Sequence, residues 1–209
     1  MGSLIGIGGG TGAGKTTIVR ALVDRMGGTV IDLDAYYHDR SGLPPAERNR
    51  INYDDPVAID AVLLVAHLTQ LTRGESVQKP VYSFATHTRI GVEVVAPARL
   101  VIVEGLFTLW WESLRSLLDV KVFVDAPSDL RLIRRIRRDI AERGRSVDQV
   151  LQQYLGTVRP MHERYVEPTR AHADLVVTND GPMEDAAERM IDVVRRRMID
   201  GMAAPAVRR

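Results

Sequence analysis

The stretch "GIGGGTGAGKTT", residues 6–17, limits what this chain can fold into more than any other. It follows a short apolar run, Leu4–Gly8, and opens a helical pattern, Thr16–Met26. Inside it lies Gly9-x4-Gly14-Lys15-Thr16, the P-loop pattern in the strand–loop–helix setting it requires. Glycines let the backbone curl so that several N–H groups face one phosphate. The helix start adds a positive partial charge. Lys15 supplies a compact point charge, which a broad guanidinium fork replaces poorly. Of 28 basic residues only three are lysines, Lys15, Lys79 and Lys121, so a lysine here stands against the chain's habit. Gly9, Gly10, Thr11, Gly12, Ala13, Gly14, Lys15, Thr16 and Thr17 are therefore expected to cradle a nucleoside triphosphate, with the Thr16 hydroxyl on Mg²⁺.

Strand-like runs recur at Thr29–Leu33, Leu100–Val103, Val120–Val124 and Asp174–Val177. Helical patterns lie at Val57–Thr72, Ser128–Arg143, Val147–Tyr154 and Met183–Met198. Such alternation predicts an α/β fold, a P-loop NTPase-type parallel sheet flanked by helices. Asp55-Pro56 reads as a helix start and Ser146-x-x-Gln149 as a capping box. Residues 79–97 break the rhythm and read as a small β-hairpin flap. Residues 131–159 read as a helical lid, and 202–209 as a frayed tail. Length suits one domain, 1–209.

The bulk numbers exclude several classes. With no cysteine there is no disulfide or thiolate metal site, and a net charge of +1 argues against a nucleic-acid partner. No apolar run approaches a membrane span and the start does not read as a signal peptide, so a cytoplasmic protein is expected.

Ligands of open parallel sheets sit at the carboxyl ends of strands, where three acids fall. Asp34 is placed to accept a proton from an attacking hydroxyl and to lie near the metal; Glu104 is placed to hold Mg²⁺. Asp125 reads as a helix cap. Seven arginines crowd residues 131–145. Helical spacing gathers Arg131, Arg135 and Arg138 on one side, with Ile133 and Ile140 opposite, an apolar back behind a basic front. Gly144 then breaks the helix, with arginines on both sides of the hinge. A lid closing on a triphosphate needs that arrangement.

Seven motifs in order resemble the uridine kinase (uridine–cytidine kinase) family: "GGGTGAGKTT", "DLDAYYHD", "NYDDPVAID", "KPVYSFATHTR", "VIVEGLF", "VFVDAPSDLRLIRRIRRDIAERGRS" and "QYLGTVRPMHERYVEPTRAHADLVV". The resemblance implies transfer of a phosphoryl group from ATP, with GTP as the alternative donor, to the 5′-hydroxyl of uridine and/or cytidine, and a homo-oligomer, commonly a tetramer. It implies Asp34 as catalytic base beside Lys15 and Arg138, and Arg143 on the phosphate side. Tyr37, Asp54, Tyr82, Phe84, His87, Arg135, Arg145 and Gln153 would then hold the nucleoside. Three features stand outside the pattern. The loop reads Thr11, Gly12 and Ala13 where the family often has Ser-Ala before its Gly-Lys. The turn Thr178–Gly181 replaces a basic-glycine turn, and Trp110-Trp111 is expected on the outer surface or at a subunit contact. Two other readings stay open: a related kinase acting on a sugar phosphate or pantothenate, and a nucleotide-binding regulator without transferase activity.

Overall fold

The computed structural model describes residues 2–181 and 187–196. Strands β1 (Ser3–Gly9), β2 (Thr29–Asp32), β5 (Leu100–Glu104), β6 (Val120–Asp125) and β7 (Leu175–Thr178) form a parallel sheet in the order β2-β5-β1-β6-β7. Each strand is an apolar run because both faces are covered. Alternate residues serve opposite sides. Leu4, Val101, Val103 and Phe123 enter one core cluster with Leu33, Tyr36, Leu64 and Leu68. Ile5, Ile7, Ile102, Val122 and Val124 enter the other with Ile18, Leu22, Met190 and Val194. That period of two is the strand signature.

β3 (Val77–Ser83) and β4 (Thr88–Val95) pair antiparallel as a separate hairpin, the expected flap. Lys79 pairs across it with Glu93, and Lys121 with Asp174, so all three lysines are engaged.

The helices follow the sequence with instructive exceptions. They are α1 (Lys15–Met26), the short α2 (Pro45–Arg48), α3 (Ala61–Thr72), the short α4 (Glu112–Arg115), α5 (Ser128–Arg143) and α6 (Val147–Gln153). The pattern starting at Val57 splits in two: Asp55 caps a single 3-10 turn, Pro56–Ala58, and Asp60 caps α3 through the amide of Leu63. Two acids five residues apart each offer an Asx cap, and the chain uses both. Ser146 and Gln149 form the expected capping box. Asp125 caps nothing, because α5 begins after Pro127 with no side-chain cap; its carboxylate pairs with Arg170 instead. Beyond α6 the chain continues through π-helical Tyr154–Val158, a helical turn Arg159–Met161 and π-helical His162–Val166. The last helical pattern is seen at residues 187–196; its remainder, 183–186 and 197–198, and the tail 202–209 lie outside the described residues.

The main surprise is α5. Its buried residues are Arg131, Arg135 and Asp139, whereas Ile133 and Ile140 are 45% and 43% exposed. The periodicity is as expected, but the helix presents its charged face inward. That orientation is tolerable because the inward charges find partners, described next.

Candidate active site

β1 delivers the phosphate loop. Gly12 and Gly14 take left-handed φ values of 73° and 92°. A side chain at Gly12 would strike the backbone of Arg131, so the loop's curl depends on that glycine. Lys15 is buried, and its Nζ donates to the carbonyls of Gly9 and Gly10, both at 3.0 Å. Burial pulls its pKa down, while Glu104 and Asp34 pull it back up. The Thr16 hydroxyl donates to Glu104 Oε1 at 2.8 Å. Burial raises the Glu104 pKa, with Lys15 opposing.

At the end of β2, Asp32 accepts from the amide of Asp34 at 3.0 Å, which fixes the single 3-10 turn carrying Asp34. Both carboxyls have raised pKa values. Crowding by protein atoms, and then the Asp32 charge, push Asp34 up to about 7, with Lys15 opposing. Desolvation and a like charge both disfavour the ionised form. Asp34 is therefore protonated below that value and ionised above it. Replacing Asp32 by asparagine removes the repulsion, so the Asp34 titration is expected to move to lower pH. Carboxyl ¹³C NMR of the ligand-free protein reads this directly; an unmoved titration would show that Asp32 does not set it.

The flap supplies aromatic walls. Tyr37 packs against Tyr82 with centroids 5.1 Å apart and edge-on to Tyr53 at 5.4 Å. Phe84 stands edge-on to Tyr82, with Arg143 over its ring at 5.0 Å. His87 stacks on Tyr53 at 4.3 Å and 10° between planes. It is the sole non-glycine residue with positive φ among the described residues, at 54°. Such a conformation costs energy and persists where the surroundings hold it. Partial burial, then Arg145 and Arg48, lower the His87 pKa. A neutral imidazole offers one donor and one acceptor. Asp54 accepts from Thr157 Oγ1 at 2.9 Å, a bond delivered from the first π-helical stretch.

Four arginines of α5 and the turn after it converge on one carboxylate. Asp139 is fully buried, with Arg138 at 2.8 Å, Arg145 at 3.0 Å, Arg143 at 3.6 Å and Arg135 at 3.7 Å. Arg135 also donates to Thr11 Oγ1 at 3.2 Å and to Gln153 Oε1 at 2.8 Å, and Arg145 donates to Gln153 Oε1 at 2.6 Å. Arg131 lies beneath the loop and donates to the carbonyl of Ala126 at 3.1 Å, a bracing contact.

One cleft of about 610 Å³ gathers these groups. Its lining includes Thr11, Gly12, Gly14, Lys15, Thr16, Thr17, Asp34, Tyr37, Asp54, Tyr82, Phe84, His87, Glu104, Arg135, Arg138, Arg143, Arg145 and Gln153. Of the residues singled out from sequence, Gly9, Gly10 and Ala13 do not line it; they shape the loop from behind. Asp32 and Tyr53 line the cleft and were not anticipated, nor was Asp139 behind it. The turn after β7 tucks inward: Asn179 is buried and donates from Nδ2 to the carbonyl of Ala13 at 2.7 Å, while its own carbonyl accepts from Arg134 at 3.1 Å. Trp110 and Trp111 are half-buried at the surface, packed edge-on to Tyr165 and Phe107, beside a shallow hollow of about 410 Å³.

The description of the Phosphoribulokinase / Uridine kinase family matches residues 4–186. A uridine kinase of Geobacillus kaustophilus (strain HTA426) is 45% identical over 196 residues, 92% of this chain and 93% of that protein. One from Brevibacillus brevis is 47% identical over 182 residues, 85% of each. Among solved structures, a chain assigned as a fructose transport system kinase from Silicibacter sp. TM1040 superposes with a TM-score of 0.66 at 21% identity, covering 84% of this chain and 89% of that one. A structure described as a possible uridine kinase from Bacillus stearothermophilus gives a TM-score of 0.59 at 18% identity, covering 84% and 88%. These two likenesses establish the fold, and the family match with identity above 40% over most of the chain establishes the lineage: this chain belongs to the Phosphoribulokinase / Uridine kinase family.

Proposed function

We propose that the chain transfers the γ-phosphoryl group of ATP, with GTP as the alternative donor, to the 5′-hydroxyl of uridine and/or cytidine, giving UMP or CMP. One observation carries the reading. A single cleft joins a phosphate loop at one end to a pocket of Tyr82, Phe84, His87 and Asp54 at the other. Asp34 lines this cleft together with Lys15, Tyr37 and Tyr82, and its charge lifts the pKa of each of the three. A group in that position can orient the hydroxyl and take its proton as the bond to phosphorus forms.

The donor set fits Mg²⁺. Among the described residues no three His, Cys, Asp or Glu side chains converge as a protein cage. Magnesium in kinases keeps waters and substrate phosphate oxygens, with few protein ligands. Thr16, with Glu104 and Asp34 as nearby acceptors, would hold it. Bound there, the ion neutralises charge on the phosphate chain. The arginines around Asp139 would close over the same charge and exclude water, a competing acceptor.

At the nucleoside end, Asp54 would take the ribose hydroxyls and His87 the base edge. His87→Ala is expected to raise the nucleoside KM about 10- to 100-fold, the loss of one buried hydrogen bond and its stacking, with the donor KM unchanged. Steady-state kinetics with uridine and cytidine test this, and an unchanged nucleoside KM would remove His87 from the pocket. The aromatic walls favour a flat base over a sugar phosphate or pantothenate. A product assay with ATP against uridine, cytidine, ribulose 5-phosphate and pantothenate decides among them. Label appearing only in the last two would overturn the reading, and ATP held without transfer to any would favour a regulator.

We extend the proposal to a cytoplasmic homo-oligomer, a tetramer as in the family resemblance, acting on small molecules and not on nucleic acid or membranes. No helix among the described residues is long and apolar enough to cross a membrane. Ile90, Val92 and Val94, 60–75% exposed along β4, support a subunit contact. Sedimentation equilibrium tests the subunit number.

A further inference from the structure

We infer that Asp139 is a positioning residue for phosphoryl transfer: its buried carboxylate collects the four lid arginines before any polyanion arrives and fixes where Arg138 and Arg143 stand when one does. The inference rests on the phosphotransfer reading above and adds a residue that touches no substrate, since Asp139 does not line the cleft.

The geometry is unusual for a surface helix. Arg138 donates from Nε and Nη2 to one Asp139 oxygen at 2.9 and 2.8 Å, a paired contact that fixes the guanidinium's plane. Arg145 donates to the other oxygen at 3.0 Å. Arg143 and Arg135 stand 3.6 and 3.7 Å away. The main chain of the same residue holds the hinge: its carbonyl accepts from the amides of Gly144 and Arg145. Through Arg135 and Arg145 the network reaches Gln153 on α6, and through Arg135 it reaches Thr11 of the phosphate loop. One residue thus ties loop, helix, hinge and lid together.

Charge counting gives the role its direction. Four guanidiniums surround Asp139, so the cluster keeps a surplus of positive charge even when Glu142, which lines the same cleft, is counted against it. A bound triphosphate supplies the missing anions. If Asp139 were only a structural ion pair, removing its charge would loosen the lid and weaken the nucleotide along with turnover. If it positions the arginines, removing its charge makes the cluster more positive. Polyanion binding then holds or tightens, while the arginines lose the geometry that the transition state needs. Interactions that serve only the transition state appear in kcat, not in binding.

The test uses the full chain with MgATP and uridine. For Asp139→Asn, an isosteric change, kcat is expected to fall about 10²-fold, the order that a small misplacement costs. Directly measured ATP affinity should stay equal or rise, and ADP should form in excess of UMP as water gains access. Turnover within about threefold of the unsubstituted protein, or turnover and ATP affinity falling together, overturns the assignment. Should the variant fail to fold, the unsubstituted protein supplies the readout through its ¹⁵N-labelled arginine side chains. Slow exchange of the Arg138 Nε–H without ligand supports the assignment, and rapid exchange overturns it. An unsubstituted protein that makes neither UMP nor CMP refutes the phosphotransfer reading instead, and that is visible before any variant is made.

Discussion

Replacing Asp34 by alanine is expected to lower kcat about 10³-fold, within the range that a lost general base costs, while ATP still binds. The side chain sits on a single 3-10 turn whose start is pinned by Asp32, so its position is built into the end of β2. Its raised pKa, about 7, suits a base that must be ionised to accept a proton and basic enough to want one. Because the shift is upward in the ligand-free protein, kcat/KM carried by the ionised form is present above that value and is lost as pH falls through it. Asp34→Asn should therefore remove both the turnover and the acidic limb of the rate profile. Steady-state kinetics alongside equilibrium ATP binding provide the check. Turnover within tenfold of the unsubstituted protein would take the role away from Asp34.

Lys15→Ala is expected to lower kcat by about 10²- to 10³-fold, the loss of one fixed charge at the transferring phosphoryl group, and to weaken ATP as well. Lys15→Arg should recover little of this. Lys15 Nζ fits between the Gly9 and Gly10 carbonyls at 3.0 Å each, in a site already buried, and a planar guanidinium is too broad for that seat. The nucleoside KM should stay unchanged, since the lysine acts at the phosphate end. Kinetics of both variants with varied MgATP and varied uridine separate the two effects. An arginine variant with normal turnover would mean that charge alone, without shape, satisfies the site.

The features legible in the sequence are those written in local spacing. The phosphate loop, five parallel strands, the flap and the capping box at Ser146 each depend on neighbours within a dozen residues, and each stands where the pattern puts it. Helix α5 shows the limit. Periodicity assigned Arg131 and Arg135 to one face and Ile133 and Ile140 to the other, but it carries no information on which face turns inward. Hydrophobicity suggested the isoleucines, and the structure buries the arginines. The missing cue was Asp139, an acid in step with Arg131 and Arg135 at intervals of four. Its phase on the helix marks where the arginines are gathered. Tyr53 escaped for a different reason. Its stack on His87 joins residues 34 apart in the chain, and only the folded flap brings them together. Asp32 escaped because Asp34, two residues on, explained the motif, although Asp32 ends the strand, Asp34 sits on the turn after it, and both line the cleft.

A polyanion and a flat heterocycle are expected to meet face to face in this one cleft. A crystal structure of the protein with cytidine and a non-hydrolysable ATP analogue tests this most directly. The 5′-oxygen is expected beside Asp34 and about 3–3.5 Å from the terminal phosphorus, in line with the bridging oxygen, with Arg138 and Arg143 closed over the phosphates. A closed complex in which the sugar's primary alcohol points away from the phosphate chain, or in which the base lies outside the pocket of Tyr82 and His87, would contradict it.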